Sequence, residues 1–218
     1  NSSAASDVYK RQALFLIIGI IDKSAGTRDL RELSGVGRRM RSLSLVMVLA
    51  AASMAGLPPM LGFVGKEAAF AALVALVSQG DGTGLSPAVA VLVLIAVVLG
   101  SVLTMAYSLR LVWGALALKP GKAETTLTMP PRAMLIAPAL LTLGSLAGGL
   151  LASRLGHVLE PYAESMPLGS ATTHLALWHG LGAPLAASLV AVAGGTLLFL
   201  SRERVARIPV SYTHLTLP

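Results

Sequence analysis

The 218-residue chain is 55% hydrophobic, with 12% charged residues and a mean hydropathy of +0.75, too apolar for an ordinary soluble domain. It has no cysteine, which excludes disulfides, thiolate metal sites and thiol redox chemistry. The net charge of +7 lies between apolar runs rather than on a polar, aromatic-studded face, so it reads as membrane topology and not as nucleic-acid binding.

The two ends read as foreign. Residues 2–12 back-translate in frame into one strand of a transposon-type sequencing adaptor, and residues 210–218 into something similar to its reverse complement. Residues 1–12 and 209–218 are therefore expected to be adaptor-derived, and residues 13–208 to be a transmembrane fragment. Residues 13–21 are too few to cross a bilayer, which needs about 20 apolar residues, and read as the last turns of a helix. A densely charged loop follows, with Asp22, Arg28 and Asp29. It is either a solvated turn or, more sharply, a subunit contact or the mouth of an ion path, and Gly35 and Gly37 suit a turn into the next span.

Residues 43–77 form the most informative segment. Only Lys66 and Glu67 carry charge there, and a helix-breaking cluster of Gly56, Pro58, Pro59 and Gly62 precedes them. A lysine at the centre of a membrane helix costs roughly 2.5–3.5 kcal/mol on insertion scales. Adjacent prolines remove further backbone hydrogen bonds, which is tolerable only where protein or water satisfies the freed carbonyls. The two penalties together point to an ion path, against the simpler alternative of a snorkelling lysine near a helix end. The proton on a buried lysine is sensitive to nearby charge, so Lys66 is expected to carry a proton, with Glu67 as partner or helix-terminus charge. Neighbours on a helix do not face each other, so Glu67 need not touch Lys66.

Three more spans follow at residues 87–109 (extending to about 118), 134–155 and 181–200. The small residues Gly144, Ser145, Gly148 and Gly149 read as close helix packing. Basic residues alternate from side to side. Lys23 to Arg41 lie in the first loop, none in residues 78–86, Lys119, Lys122 and Arg132 in the third loop, none in residues 157–180, and Arg202, Arg204 and Arg207 after the last span. The positive-inside rule places the first, third and last of these in the cytoplasm, which works only if residues 43–77 cross once as a single broken helix. The expected fold is all-α, a polytopic transmembrane helix bundle. His157, His174 and His179 lack metal-site spacing, and His179 beside Trp178 reads as an interfacial anchor. No P-loop, dinucleotide fingerprint or nucleophile elbow is present, so no cofactor is expected.

Residues 13–22 (ALFLIIGIID), 26–33 (GTRDLREL), 52–59 (ASMAGLPP) and 60–67 (MLGFVGKE), with Leu177-Trp178-His179-Gly180, together resemble one family. They are similar to the large antiporter-like subunit of Mrp-type multisubunit Na+/H+ antiporters, a relative of the antiporter-like subunits of respiratory complex I. The resemblance implies a bacterial inner-membrane subunit exchanging Na+ for H+ beside other membrane subunits of a hetero-oligomeric complex. It also implies that Lys66 is the family's lysine on a broken helix, a terminal station of its proton relay. Gly65 departs from the pattern, where the family often has serine, which leaves a hydroxyl relay there unsupported. Asp22, Arg28 and Asp29 match the family loop without a transport role. The rival implication is a proton-pumping arm of complex I or of a membrane-bound hydrogenase, with redox chemistry elsewhere.

Overall fold

The computed structural model describes residues 2–79, 86–164 and 182–202. Among these, eight α-helices and one 3-10 turn account for the regular structure: α1 (Ser2–Ala25), α2 (Val36–Arg39), α3 (Arg41–Ala55), α4 (Leu61–Gln79), α5 (Pro87–Leu116), a 3-10 turn (Arg132–Leu135), α6 (Ile136–Leu150), α7 (Ala152–Glu164) and α8 (Ala183–Leu200). Four of them are long and apolar enough to cross a membrane: α4, α5, α6 with its 3-10 turn, and α8. The architecture is the polytopic helix bundle expected from the sequence.

α1 buries Leu14, Ile17 and Ile21, a stripe at helical spacing, against Met47, Ala50 and Ala51 of α3, while Phe15 and Leu16 face outward. Both faces are apolar because a membrane helix meets hydrocarbon on one side and protein on the other, so packing rather than polarity separates them. The same logic places Leu92, Ile95, Leu99 and Leu103 on an exposed stripe of α5. α5 starts cleanly with Pro87 in its first turn, where the missing N–H costs nothing. α8 lies close against α5 because Gly194 and Gly195 carry no Cβ. One added at Gly195 would stand 2.5 Å from Met105 Cβ and 2.7 Å from the Val102 carbonyl.

The break between α3 and α4 has a local cause. Gly56 adopts φ 71°, the left-handed conformation in which glycine is least strained. Its N–H donates to the Ser53 carbonyl (3.2 Å) and that of Leu57 to the Ala52 carbonyl (2.9 Å), the paired bonds of a Schellman cap. Pro58 and Pro59 then prevent the helix from resuming until Leu61.

α3 and α4 lie end to end along α5. Gly37, just before α3, touches Leu116 at one end of α5, and Met54, near the end of α3, receives the Tyr107 hydroxyl. α4 packs on α5 as well and ends shortly before Pro87 starts it. At about 1.5 Å per residue the 30-residue α5 is about 45 Å long, enough to flank both halves. The two halves thus follow one another along α5 on either side of the break.

The C-termini of α1, α5 and α8 and the N-termini of α3 and α6 gather at one end, which carries the basic residues. There the Arg202 guanidinium stacks over Trp113 (5.5 Å) and Phe199 (4.5 Å), an interfacial aromatic arrangement.

Three local expectations are corrected. α1, whose last turns the sequence places at residues 13–21, runs on to Ala25. Asp22 and Lys23 belong to its last turn rather than to the loop, because the helix continues to Ala25 and ends where Gly26 turns left-handed at φ 72°. The span expected over residues 134–155 is interrupted at Leu151, between α6 and α7. Residues 157–164, expected as loop, are the second half of α7. His174, Trp178, His179, Arg204, Arg207 and residues 209–218 lie outside the described residues.

Candidate functional site: a lysine at the helix break

Lys66 lies in the second turn of α4, and its side chain folds back toward the break. Its Nζ donates to the Ala55 carbonyl at 3.0 Å, the last residue of α3. The side chain passes directly over Gly56, where an added Cβ would come within 2.9 Å of Lys66 Cε and 3.0 Å of Nζ. Gly56 therefore serves twice, once for its backbone conformation and once for the room it leaves the ammonium group. Among the described residues no carboxylate forms an ion pair with Lys66.

Glu67 points elsewhere. It is 3% exposed, and its Oε2 accepts the Ser188 hydroxyl of α8 at 2.8 Å. Successive helical residues diverge by about 100°, so one position serves the break and the next ties α4 to α8. An unpaired carboxylate here would be costly, and the Ser188 hydroxyl partly offsets that cost.

The break is gripped from both sides. Gly62 is the second residue of α4 rather than part of the gap, and a Cβ there would meet the Ser53 carbonyl at 1.8 Å. On α6, a Cβ at Gly149 would meet the Pro59 carbonyl at 1.9 Å, and one at Gly148 would press on the Leu61 side chain at 3.3 Å. The Ser53 and Ser145 hydroxyls share a hydrogen bond of 2.6 Å between α3 and α6. The peptide between Pro58 and Pro59 is cis. Ser108 Oγ on α5 is buried without a hydrogen-bond partner, a polar atom open to a water.

The charged loop is an ordered turn. Asp22 pairs with Arg28 at 3.2 Å. Asp29 Oδ1 accepts the Arg31 N–H at 2.8 Å, an Asx turn. The Thr27 hydroxyl donates to Glu32 at 2.6 Å. The loop is then stapled to the segment after α5, which the sequence did not suggest. Lys119 Nζ donates to the carbonyls of Leu30, Leu33 (2.7 Å) and Gly114 (3.0 Å). Thr125 exchanges hydrogen bonds with Ser34, and Lys119 N–H donates to Ser34 Oγ. Asp22, Arg28 and Asp29 thus shape a turn at the basic end. His157 is exposed on α7. No cluster of histidine and carboxylate able to hold a metal ion occurs among the described residues.

Sequence reasoning located Lys66, Glu67 and the break but missed Ser188, the Ser53–Ser145 pair and Lys119. The first two are serines inside apolar helices, with nothing in their local sequence to separate them from packing residues.

Residues 8–104 match the family described as NADH:quinone oxidoreductase/Mrp antiporter, TM. The chain is 30% identical over 204 residues to a Na(+)/H(+) antiporter subunit of Alkalihalophilus pseudofirmus, covering 89% of this chain and 25% of that protein. It is 32% identical over 203 residues to a Rhizobium meliloti protein named as a probable K(+)/H(+) antiporter subunit, covering 90% of this chain and 19% of that one. In three dimensions it is similar to a chain of the Mrp complex from Dietzia sp. DQ12-45-1b, with a TM-score of 0.67, 30% identity, and coverage of 92% of this chain and 21% of that chain. The chain spans about a quarter of the length of the curated relatives it matches.

Proposed function

The chain is like the large antiporter subunit of Mrp complexes and is a multi-pass membrane protein; from that premise we propose that it forms part of the membrane subunit of a monovalent cation/proton antiporter, in which Lys66 holds and passes a proton. The observation that carries this reading is the placement of Lys66. Lys66, inside an apolar helix, reaches the Ala55 carbonyl at the helix break, where it can gain or lose a proton without leaving the bundle. Broken helices with freed backbone groups are the usual setting for ion sites in transporters. No bond is made or broken in such a role, so the chain acts as a transporter subunit rather than as an enzyme. The name of the Alkalihalophilus relative supports Na+ and H+ as the exchanged ions and that of the Rhizobium relative K+ in place of Na+. The matched complex supports other membrane subunits as partners, and the bacterial sources of the relatives support a bacterial inner membrane as the location.

The test is Lys66→Ala and Lys66→Arg in the full-length subunit within its complex. Na+-driven proton movement is followed with a pH-sensitive dye in inverted vesicles. Both variants are expected to lower exchange at least about tenfold, a loss of roughly 1.4 kcal/mol or more in barrier terms, with complex assembly unchanged. Exchange at the wild-type rate in Lys66→Ala would remove the lysine from the path.

The family that residues 8–104 match is shared with NADH:quinone oxidoreductase, which supports a second reading as a redox-driven proton pump arm. Proton movement that requires quinone reduction and ignores Na+ would favour it.

A further inference from the structure

At the basic end, a cleft of about 180 Å³ opens between the last turns of α1, the start of α3 and the 3-10 turn before α6. Its floor is apolar, formed by Ile20, Leu43 and Leu135, and its rim carries Arg39, Arg41 and Arg132. We propose that this cleft seats the headgroup of an anionic phospholipid from the cytoplasmic leaflet.

Three observations point to that occupant. First, the rim has uncompensated positive charge. Arg39 is 3.7 Å from Glu124, which Arg38 also approaches, but Arg41 and Arg132 have no acidic partner among the described residues. Second, Arg41 stands at the start of α3, a 15-residue helix that has no side-chain cap. The first backbone N–H groups of such a helix need acceptors, and phosphate oxygens would serve both the N–H groups and the guanidinium groups. Third, exposed apolar residues lie next to both arginines. Leu45 (61% exposed) follows Arg41 by four positions on α3, where residues four apart share a face, and Ile136 (58% exposed) starts α6 after the 3-10 turn that Arg132 begins. A cationic group at the interface with an apolar surface one turn deeper matches a phosphate above its acyl chain. Basic pockets between helix ends on the cytoplasmic side bind anionic lipid headgroups by this chemistry.

The proposal requires only that the basic end face the cytoplasm and is independent of exchange activity, so lipid retention and transport are separate readouts. The experiment uses the full-length subunit in its complex, purified in mild detergent with phosphatidylglycerol or phosphatidylcholine, with retained lipid counted by native mass spectrometry. Phosphatidylglycerol is expected to be retained over phosphatidylcholine by about tenfold or more. The double variant Arg41→Gln/Arg132→Gln should lose that preference. Ser42→Trp, which fills the cleft without changing its charge, should lose retention too. Arg31→Gln/Arg38→Gln removes the same charge outside the cleft and should keep it. Equal retention in all variants, loss in the Arg31/Arg38 control as well, no bound lipid in the wild type because other protein fills the cleft, or displacement of the lipid by millimolar inorganic phosphate would each overturn the assignment.

Discussion

Gly149→Ala isolates how tightly α6 grips the helix break. A Cβ at Gly149 would stand 1.9 Å from the Pro59 carbonyl oxygen, 2.7 Å from the Met60 carbonyl carbon and 2.8 Å from the Leu61 nitrogen. All three are backbone atoms, fixed by the Schellman cap on one side and the first turn of α4 on the other, so no side chain can swing aside. Relief requires α6 to move away from the break by roughly 1.5 Å, and overpacking of this kind costs about 1–3 kcal/mol. Replacing glycine by alanine inside a helix returns about 0.5–1 kcal/mol, so a net loss of up to about 2.5 kcal/mol, centred on about 1 kcal/mol, is expected. For a chain of this length each kcal/mol moves Tm by about 2–4 °C, which gives a drop of up to about 10 °C, centred on about 3 °C. The assay is thermal unfolding in detergent micelles followed by helical circular dichroism. Gly144→Ala, on the same helix with nothing within 4 Å of its added Cβ, provides the control and should be neutral or slightly stabilising. If Gly149→Ala unfolds at the same temperature as Gly144→Ala, the close approach of α6 to the break is not a feature of the folded protein.

Two further substitutions test the connections around the site. Ser188→Ala leaves Glu67 buried without its hydroxyl donor and should cost about 1–3 kcal/mol in the same unfolding assay; Ser188→Thr keeps the hydroxyl and should recover most of that loss, and a Thr variant as unstable as Ala would argue for packing alone. Lys119→Met removes the ammonium group that holds the Leu30, Leu33 and Gly114 carbonyls; it should speed tryptic cleavage after Arg28 and Arg31 several-fold, and an unchanged cleavage rate would mean that the loop holds its shape without the staple.

What could be read from the sequence was decided by locality. Gly56, Pro58 and Pro59 act on their own backbone, so the break was legible, and the lone lysine beside it was conspicuous because nothing near it is charged except Glu67. The end of α1 was misjudged because the apolar run stops at Ile21, whereas the backbone hydrogen bond from Gly26 N–H to the Asp22 carbonyl carries the helix one turn further. The interruption at Leu151 has no glycine or proline at the turn itself, so composition gave no warning. The Ser188–Glu67 bond joins residues 121 positions apart. No local pattern separates Ser188 from its small neighbours Ala186 and Ala187. Gly149 looked like one more packing residue, and only the fold reveals that its partner is the break.

Breaking a helix in the middle of a membrane also redistributes charge. Peptide dipoles in an unbroken helix cancel head to tail, but each free end carries roughly half an elementary charge, negative at a C-terminus and positive at an N-terminus. The gap between Ala55 and Leu61 therefore sets the negative pole of α3 against the positive pole of α4 inside the apolar layer. Lys66, near the positive pole of its own helix, reaches across to the Ala55 carbonyl at the opposite pole. Its hydrogen-bond partner is thus the backbone itself, which takes up no proton at any ordinary pH and cannot exchange one partner for another.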